Sequence, residues 1–143
     1  MANPMYGQNK ADARVGILTN PGLPPAVIGG TGTLTIDMLL KQVLEEDPGG
    51  AATWTLPTAA LAVAGISGVE VGDSFDFWVI NTDGTAAVAI TIAAGSGGTA
   101  VGNMEVESAE TTAEKISSGS GMFRIRFTNV TSSSEAYTVY RLA

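Results

Sequence analysis

The clearest pattern along the chain is the alternation in residues 71–81, where Phe75, Phe77 and Val79 share one side and Asp76, Trp78 and Ile80 the other. A period of two is that of a β-strand. A second apolar run, 86–93, alternates Val88, Ile90 and Ile92, and Asp83-Gly84 between the two runs supplies residue types that tolerate positive φ. The pair is expected to form a β-hairpin at the centre of the fold. A second hairpin is expected at the end of the chain. There Phe123, Ile125 and Phe127 alternate with Arg124 and Arg126, residues 137–142 alternate again, and the Ser-rich stretch 129–135 connects them.

The period changes at Ile36, Leu39, Leu40, Val43 and Leu44, spaced as one apolar stripe of a helix. Thr35 suits its N-cap, Asp37 suits its first turn, and Pro48-Gly49-Gly50 ends it. Shorter elements fill the rest: an edge strand within 31–35, a strand ended by Pro57, and a two-turn helix capped by Thr58 and closed by Gly65. A bulged strand follows over 99–106, broken at Gly102-Asn103, and then a strand over 111–116. Together these predict an all-β-dominated fold, an antiparallel β-sandwich or β-barrel with one or two short helices. Residues 1–33 are poorly periodic and hold Pro4, Pro21, Pro24 and Pro25. They read as an extended N-terminal arm ahead of a β-rich globular domain, 34–143.

Composition narrows the function classes. The chain has 143 residues, room for one domain and an arm, with 45% hydrophobic but only 15% charged residues. A surface of Thr, Ser, Gly and Ala suits burial against neighbours. The net charge of -7 argues against a protein that grips nucleic acid by neutralising phosphates. Cysteine and histidine are both absent, which removes Ser-His and Cys-His nucleophilic pairs, most zinc sites and the usual proton shuttle. No apolar run reaches the length of a membrane span, and the first ten residues lack the apolar core of a signal peptide, so no membrane association is expected.

Candidate chemistry is sparse. The run Gly29-Gly30-Thr31-Gly32-Thr33 lacks the Lys of a phosphate loop, and no Gly-x-Ser-x-Gly elbow occurs. Asp73, Asp76 and Asp83 flank the predicted first hairpin, and Glu105, Glu107 and Glu110 form a second acidic group. Glu105 and Glu107 share a strand face, as they would on an ordinary solvated strand. Neither catalysis nor a metal site is expected from them. Tyr6, Trp54, Trp78, Tyr137 and Tyr140 would suit a sugar-stacking platform, but aromatics at strand spacing are more often core. Trp78 lies opposite Phe75 and Phe77, so one of the two faces is expected to meet a second layer, a helix or a neighbouring subunit. Leu40, Trp54, Trp78, Arg124 and Arg126 are therefore the candidate subunit-interface residues, with Arg141 near the two arginines if the last hairpin is in register. The chain is expected to be no enzyme and to need no cofactor.

Residues 54–60, Trp-Thr-Leu-Pro-Thr-Ala-Ala, together with Val71-Gly-Asp-Ser-Phe-Asp-Phe77, Val79-Ile-Asn81, Phe123-Arg-Ile-Arg-Phe-Thr-Asn-Val130 and Ala136-Tyr-Thr-Val-Tyr-Arg141, resemble virion surface proteins of tailed bacteriophages. The likeness is to the small β-rich proteins of marine and cyanobacterial phages, and it covers residues 52–143. It implies a capsid decoration or cement protein, made in the host cytoplasm and added to the capsid surface. The partner so implied is the phage major capsid protein, engaged by a homotrimer whose arm clasps the shell. Tyr6, Lys10, Arg14, Val15, Ile17 and Leu18 would then be the capsid-binding arm residues. The alternative reading is a host-surface or glycan-binding module of a head fibre or tail fibre.

Overall fold

The computed structural model describes residues 28–85, 88–111 and 116–143. In chain order the elements are β1 (Gly32–Thr33), α1 (Ile36–Leu39), β2 (Val43–Glu46), β3 (Ala52–Thr55), α2 (Ala59–Ala64), β4 (Ser74–Asn81) and β5 (Ala89–Ala93). They continue as β6 (Gly98–Val101), β7 (Glu105–Glu107), β8 (Glu110–Thr111), β9 (Ile116–Ser117), β10 (Ser120–Asn129) and β11 (Ala136–Arg141). A five-stranded sheet has the order β2-β4-β10-β11-β6, a four-stranded sheet the order β1-β3-β5-β7, and β8 pairs with β9.

Mostly β with two short helices is what the alternating pattern predicts. The pairing departs from it. Antiparallel contacts join β4 to β10, β10 to β11 and β5 to β7, while β2–β4, β11–β6, β1–β3 and β3–β5 are parallel. Both larger sheets are therefore mixed, and each ends in two edge strands, so neither closes into a barrel.

The period-two strands bury the side expected of them. Phe75, Phe77 and Val79 of β4, Phe123, Ile125 and Phe127 of β10, and Tyr137 and Val139 of β11 form one side of the core. Trp54, Ile90, Ile92 and Val106 of the four-stranded sheet join the same cluster. Phe77 stands opposite Phe123 in register, with the rings stacked at 5.4 Å. Burial of side chains of this size stabilises by roughly 1.5–3 kcal/mol each. The terminal hairpin pairs Ile125 with Val139, with a register shift between Phe127 and Asn129.

Four expected elements are corrected. First, β4 and β5 do not form a hairpin, because they belong to different sheets. The connection is a corner held by buried polar groups. Asn81 Nδ2 donates to the carbonyls of Val88 and Val106, both at 3.0 Å, and Asn81 Oδ1 accepts from Asp83 N at 3.1 Å. Asp83 Oδ1 accepts from Thr85 N, and Ser108 Oγ donates to the Thr85 carbonyl.

Second, the helical stripe from Ile36 to Leu44 is split. Thr35 caps α1 as expected, accepting from Met38 N at 3.2 Å, but the helix stops at Leu39. Gln42 turns at φ 69°, and β2 then runs parallel to β4, with Trp78 N donating to Gln42 O and Thr82 N to Glu46 O. A longer helix would place Glu45, Glu46 and Asp47 against the negative end of its dipole. As a strand, 43–46 cover an edge of β4, and Leu39 and Leu44 are buried all the same.

Third, the expected bulged strand over 99–106 is two strands in two sheets, separated at Gly102, where φ is 100°. By contrast α2 has its expected Thr58 cap and Gly65 end. Fourth, the single strand expected over 111–116 is overturned, since Thr111 of β8 pairs antiparallel with Ile116 of β9, and 112–115 lie outside the described residues.

Candidate functional site

Burial of one face of the five-stranded sheet leaves the other to solvent, and register fixes what stands there. Val43 of β2 pairs with Trp78 of β4, Trp78 with Met122 of β10, and Leu142 N donates to Met122 O at 2.8 Å. An apolar row thus crosses β2, β4 and β10 and continues to the residue after β11: Val43, Trp78, Met122 and Leu142. Trp78 is 41% exposed and Leu142 45%. The next row holds Asp76, Arg124, Tyr140 and Val101, paired across β4, β10, β11 and β6, with Val101 46% exposed.

Arg124 and Asp76 form a two-pronged ion pair within that row, Nε to Oδ1 at 2.6 Å and Nη2 to Oδ2 at 2.8 Å. The hydrogen bonds to Asp76, and then its charge, raise the Arg124 pKa above its usual value. At this exposure the pair contributes on the order of 0–1 kcal/mol. Its effect is to fix the guanidinium on the exposed sheet face beside the apolar row.

The expected interface residues are distributed unequally. Trp78, Arg124 and Arg126 share the exposed face, as their spacing predicts. Leu40 is half-buried against the core at the end of α1. Trp54 is 0% exposed and its Nε1 donates to Gly30 O at 2.8 Å, so its indole is core within this chain. Arg141 does not join Arg124 and Arg126: it pairs with Phe123, on the buried side, and its guanidinium lies 5.0 Å over that ring.

Tyr137 is also core. Its hydroxyl donates to Pro57 O at 3.0 Å and accepts from Gly95 N at 3.0 Å. Burial raises its pKa, with the Gly95 N–H acting in the opposite direction. Of the five aromatics considered for a sugar platform, Trp78 and Tyr140 stand on the exposed face, and Tyr6 lies outside the described residues. The arm residues Tyr6, Lys10, Arg14, Val15, Ile17 and Leu18 also lie outside them. What is described is where that segment meets the body: Ile28 N and Gly29 N both donate to Glu46 Oε2, at 3.1 and 2.9 Å.

The carboxylates are dispersed. Asp73 Oδ2 accepts from Glu70 N in the turn before β4, Asp76 holds Arg124, and Asp83 braces the buried corner. Among the described residues no group of three or more acidic side chains is placed to hold a metal ion. Glu105 and Glu107 line a polar recess of about 250 Å³ together with Asn103, Ser117, Ser120 and Arg141. Arg141 Nη1 donates to Glu105 O at 2.8 Å, and Nε donates to Ala143 O. Burial lowers the Arg141 pKa. Sequence reasoning did not bring Arg141 to the acidic pair, because the approach runs between two sheets. The signal available was Gly121, where a Cβ would lie 2.7 Å from Arg141 Cζ.

Among the described residues no helix is long and apolar enough to cross a membrane. No family model, no curated protein and no solved structure matches the chain.

Proposed function

We propose that the protein is a structural virion component that binds the outer surface of a phage capsid and stabilises the shell by bridging neighbouring major capsid protein subunits. The observation that carries this reading is the row Val43, Trp78, Met122 and Leu142 on the outer sheet face, with Trp78 and Leu142 exposed, Val43 and Met122 half-buried, and a fixed ion pair beside them. An apolar centre with a polar margin and an aromatic anchor is the anatomy of a protein-binding surface. We read the two larger sheets as the layers of a β-sandwich that presents this face. The resemblance described above supplies the partner.

The work so assigned is mechanical. A protein bound to the closed shell adds binding free energy that must be lost before the shell opens. Several weak contacts made at once gain by effective concentration, so no single contact has to be strong. The segment 1–27 joins the body at the Glu46 carboxylate, which gives any pull on it a fixed point of attachment.

The test is co-sedimentation with undecorated phage heads. Full-length protein should bind saturably and raise the temperature at which the heads open. Trp78→Ser should weaken binding about tenfold or more, the scale of an aromatic anchor, and deletion of 1–27 should weaken it further. Heads that bind none of the three proteins would overturn the reading. The half-exposed indole of Trp78 also favours the glycan-binding alternative. Binding to a glycan array that is lost in Trp78→Ser, with heads ignored, would establish that alternative instead.

A further inference from the structure

The two larger sheets end in four edge strands, and three of them are blunted. β1 is two residues long. β2 carries Glu45 and Glu46 and runs into Asp47, and the Glu46 carboxylate holds Ile28 and Gly29 against it. β7 has its outward carbonyls occupied, since Arg141 Nη1 donates to Glu105 O and Ser117 Oγ to Glu107 O. Charge, shortness and cover are the devices by which edges resist pairing with another chain.

Among the described residues the fourth edge, β6, has none of them apart from modest length. Thr99, Ala100 and Val101 are all exposed, and residues 95–104 contain neither charge nor proline. Tyr137 N donates to Gly97 O, and the alternation of a parallel ladder then aims Thr99 and Val101 at β11 and the N–H and C=O of Ala100 outward. Uncharged margins matter in this chain. Asp12, Lys10 and Arg14 precede residue 28, which leaves 13 acidic and 5 basic residues after it. Two such bodies repel over most approaches, and least where a ten-residue stretch carries no charge.

We propose that β6 is a self-association edge: two copies of this chain pair their β6 strands antiparallel about a two-fold axis at Ala100, joining two five-stranded sheets into one. The register follows from the backbone. Ala100 faces Ala100 of the second copy and the two exchange both N–H···O bonds. Thr99 then faces Val101 of the second copy, twice over, as close non-hydrogen-bonded pairs of β-branched side chains on the exposed face. The exposed face, with Val101 at its margin, becomes continuous across the axis. A self-complementary contact of this kind closes with two copies, not the three implied by the resemblance. The inference does not depend on the virion reading and is tested without phage heads.

The experiment is sedimentation velocity on the full chain at about 100 µM, where a contact of micromolar strength is filled. The wild type should run at twice the 14.5 kDa chain mass. Ala100→Pro removes the outward N–H and leaves the β11 ladder intact, a placement that edge strands admit, so it should run at the chain mass. Thr99→Glu/Val101→Glu sets carboxylates opposite one another and should also run at the chain mass. Thr99→Lys/Val101→Glu sets opposite charges in register and should keep the doubled mass. Far-UV circular dichroism and melting verify that each variant folds. A wild type at the chain mass or at three times it overturns the proposal. So does an assembly that survives both Ala100→Pro and the double glutamate variant, or one that the Lys/Glu pair abolishes.

Discussion

Asn81 stands where the chain leaves one large sheet for the other, and its amide makes three hydrogen bonds in a buried corner. Asn81→Ala is expected to cost about 2–4 kcal/mol, since it strips a buried network and not a single bond; a lowered urea midpoint at unchanged slope would register it. In the sequence Asn81 closes the alternating run 71–81 just ahead of Thr82-Asp83-Gly84, and nothing there marked its side chain as structural. The faces of β4 were legible because alternation reports burial directly. Tyr137 offers a second residue-scale test. Its pKa is raised by burial above the usual value near 10, so the folded state favours the neutral phenol. The stability this contributes is complete below pH 10 and is lost as pH rises toward the folded pKa. Chemical denaturation between pH 8 and 11 should therefore show a decline that Tyr137→Phe reduces. That variant should also be about 1–2 kcal/mol less stable at neutral pH, having lost two buried hydrogen bonds.

At the scale of elements, the stretch 36–46 shows how one apolar set can serve two geometries. Leu39 and Leu44 are buried whether the segment is one helix or a helix turn and a strand, so hydrophobic spacing could not separate the two. Three carboxylates at the end of the longer helix, and an edge of β4 in need of partners, decide for the strand. The missing hairpin has a related cause. A period of two says which face a strand buries but not which strand lies beside it, and Asp83-Gly84 is a local signal that a buried corner can use as readily as a hairpin. The small helix was legible because Thr58 and Gly65 act locally. Its end carries a further constraint: a Cβ on Gly65 would lie 2.2 Å from Ile36 Cγ2. With φ at −79°, Ala fits the backbone there but not the space. Gly65→Ala should cost about 1–3 kcal/mol by overpacking, and Ile36→Ala/Gly65→Ala should cost less than the two single changes added, as a double-mutant cycle would show.

For the molecule as a whole, the exposed sheet face was legible in part. Trp78, Arg124 and Arg126 follow from alternation, whereas the apolar row depends on register, and register depends on pairings between strands remote in sequence. That remoteness also governs how the chain reaches its structure. Asp76 and Arg124 are 48 positions apart, and the pairing of β4 with β10 that joins them lies at the heart of the larger sheet. Until β10 arrives, Phe75, Phe77 and Val79 have no Phe123, Ile125 and Phe127 to meet. Closing so long a loop before any contact repays it is slow, and chains dominated by such pairings fold in roughly milliseconds to seconds, not microseconds. On a ribosome that adds about 5–20 residues each second, β4 would wait several seconds for β10 with its apolar face short of a partner, the interval in which a chaperone has something to hold.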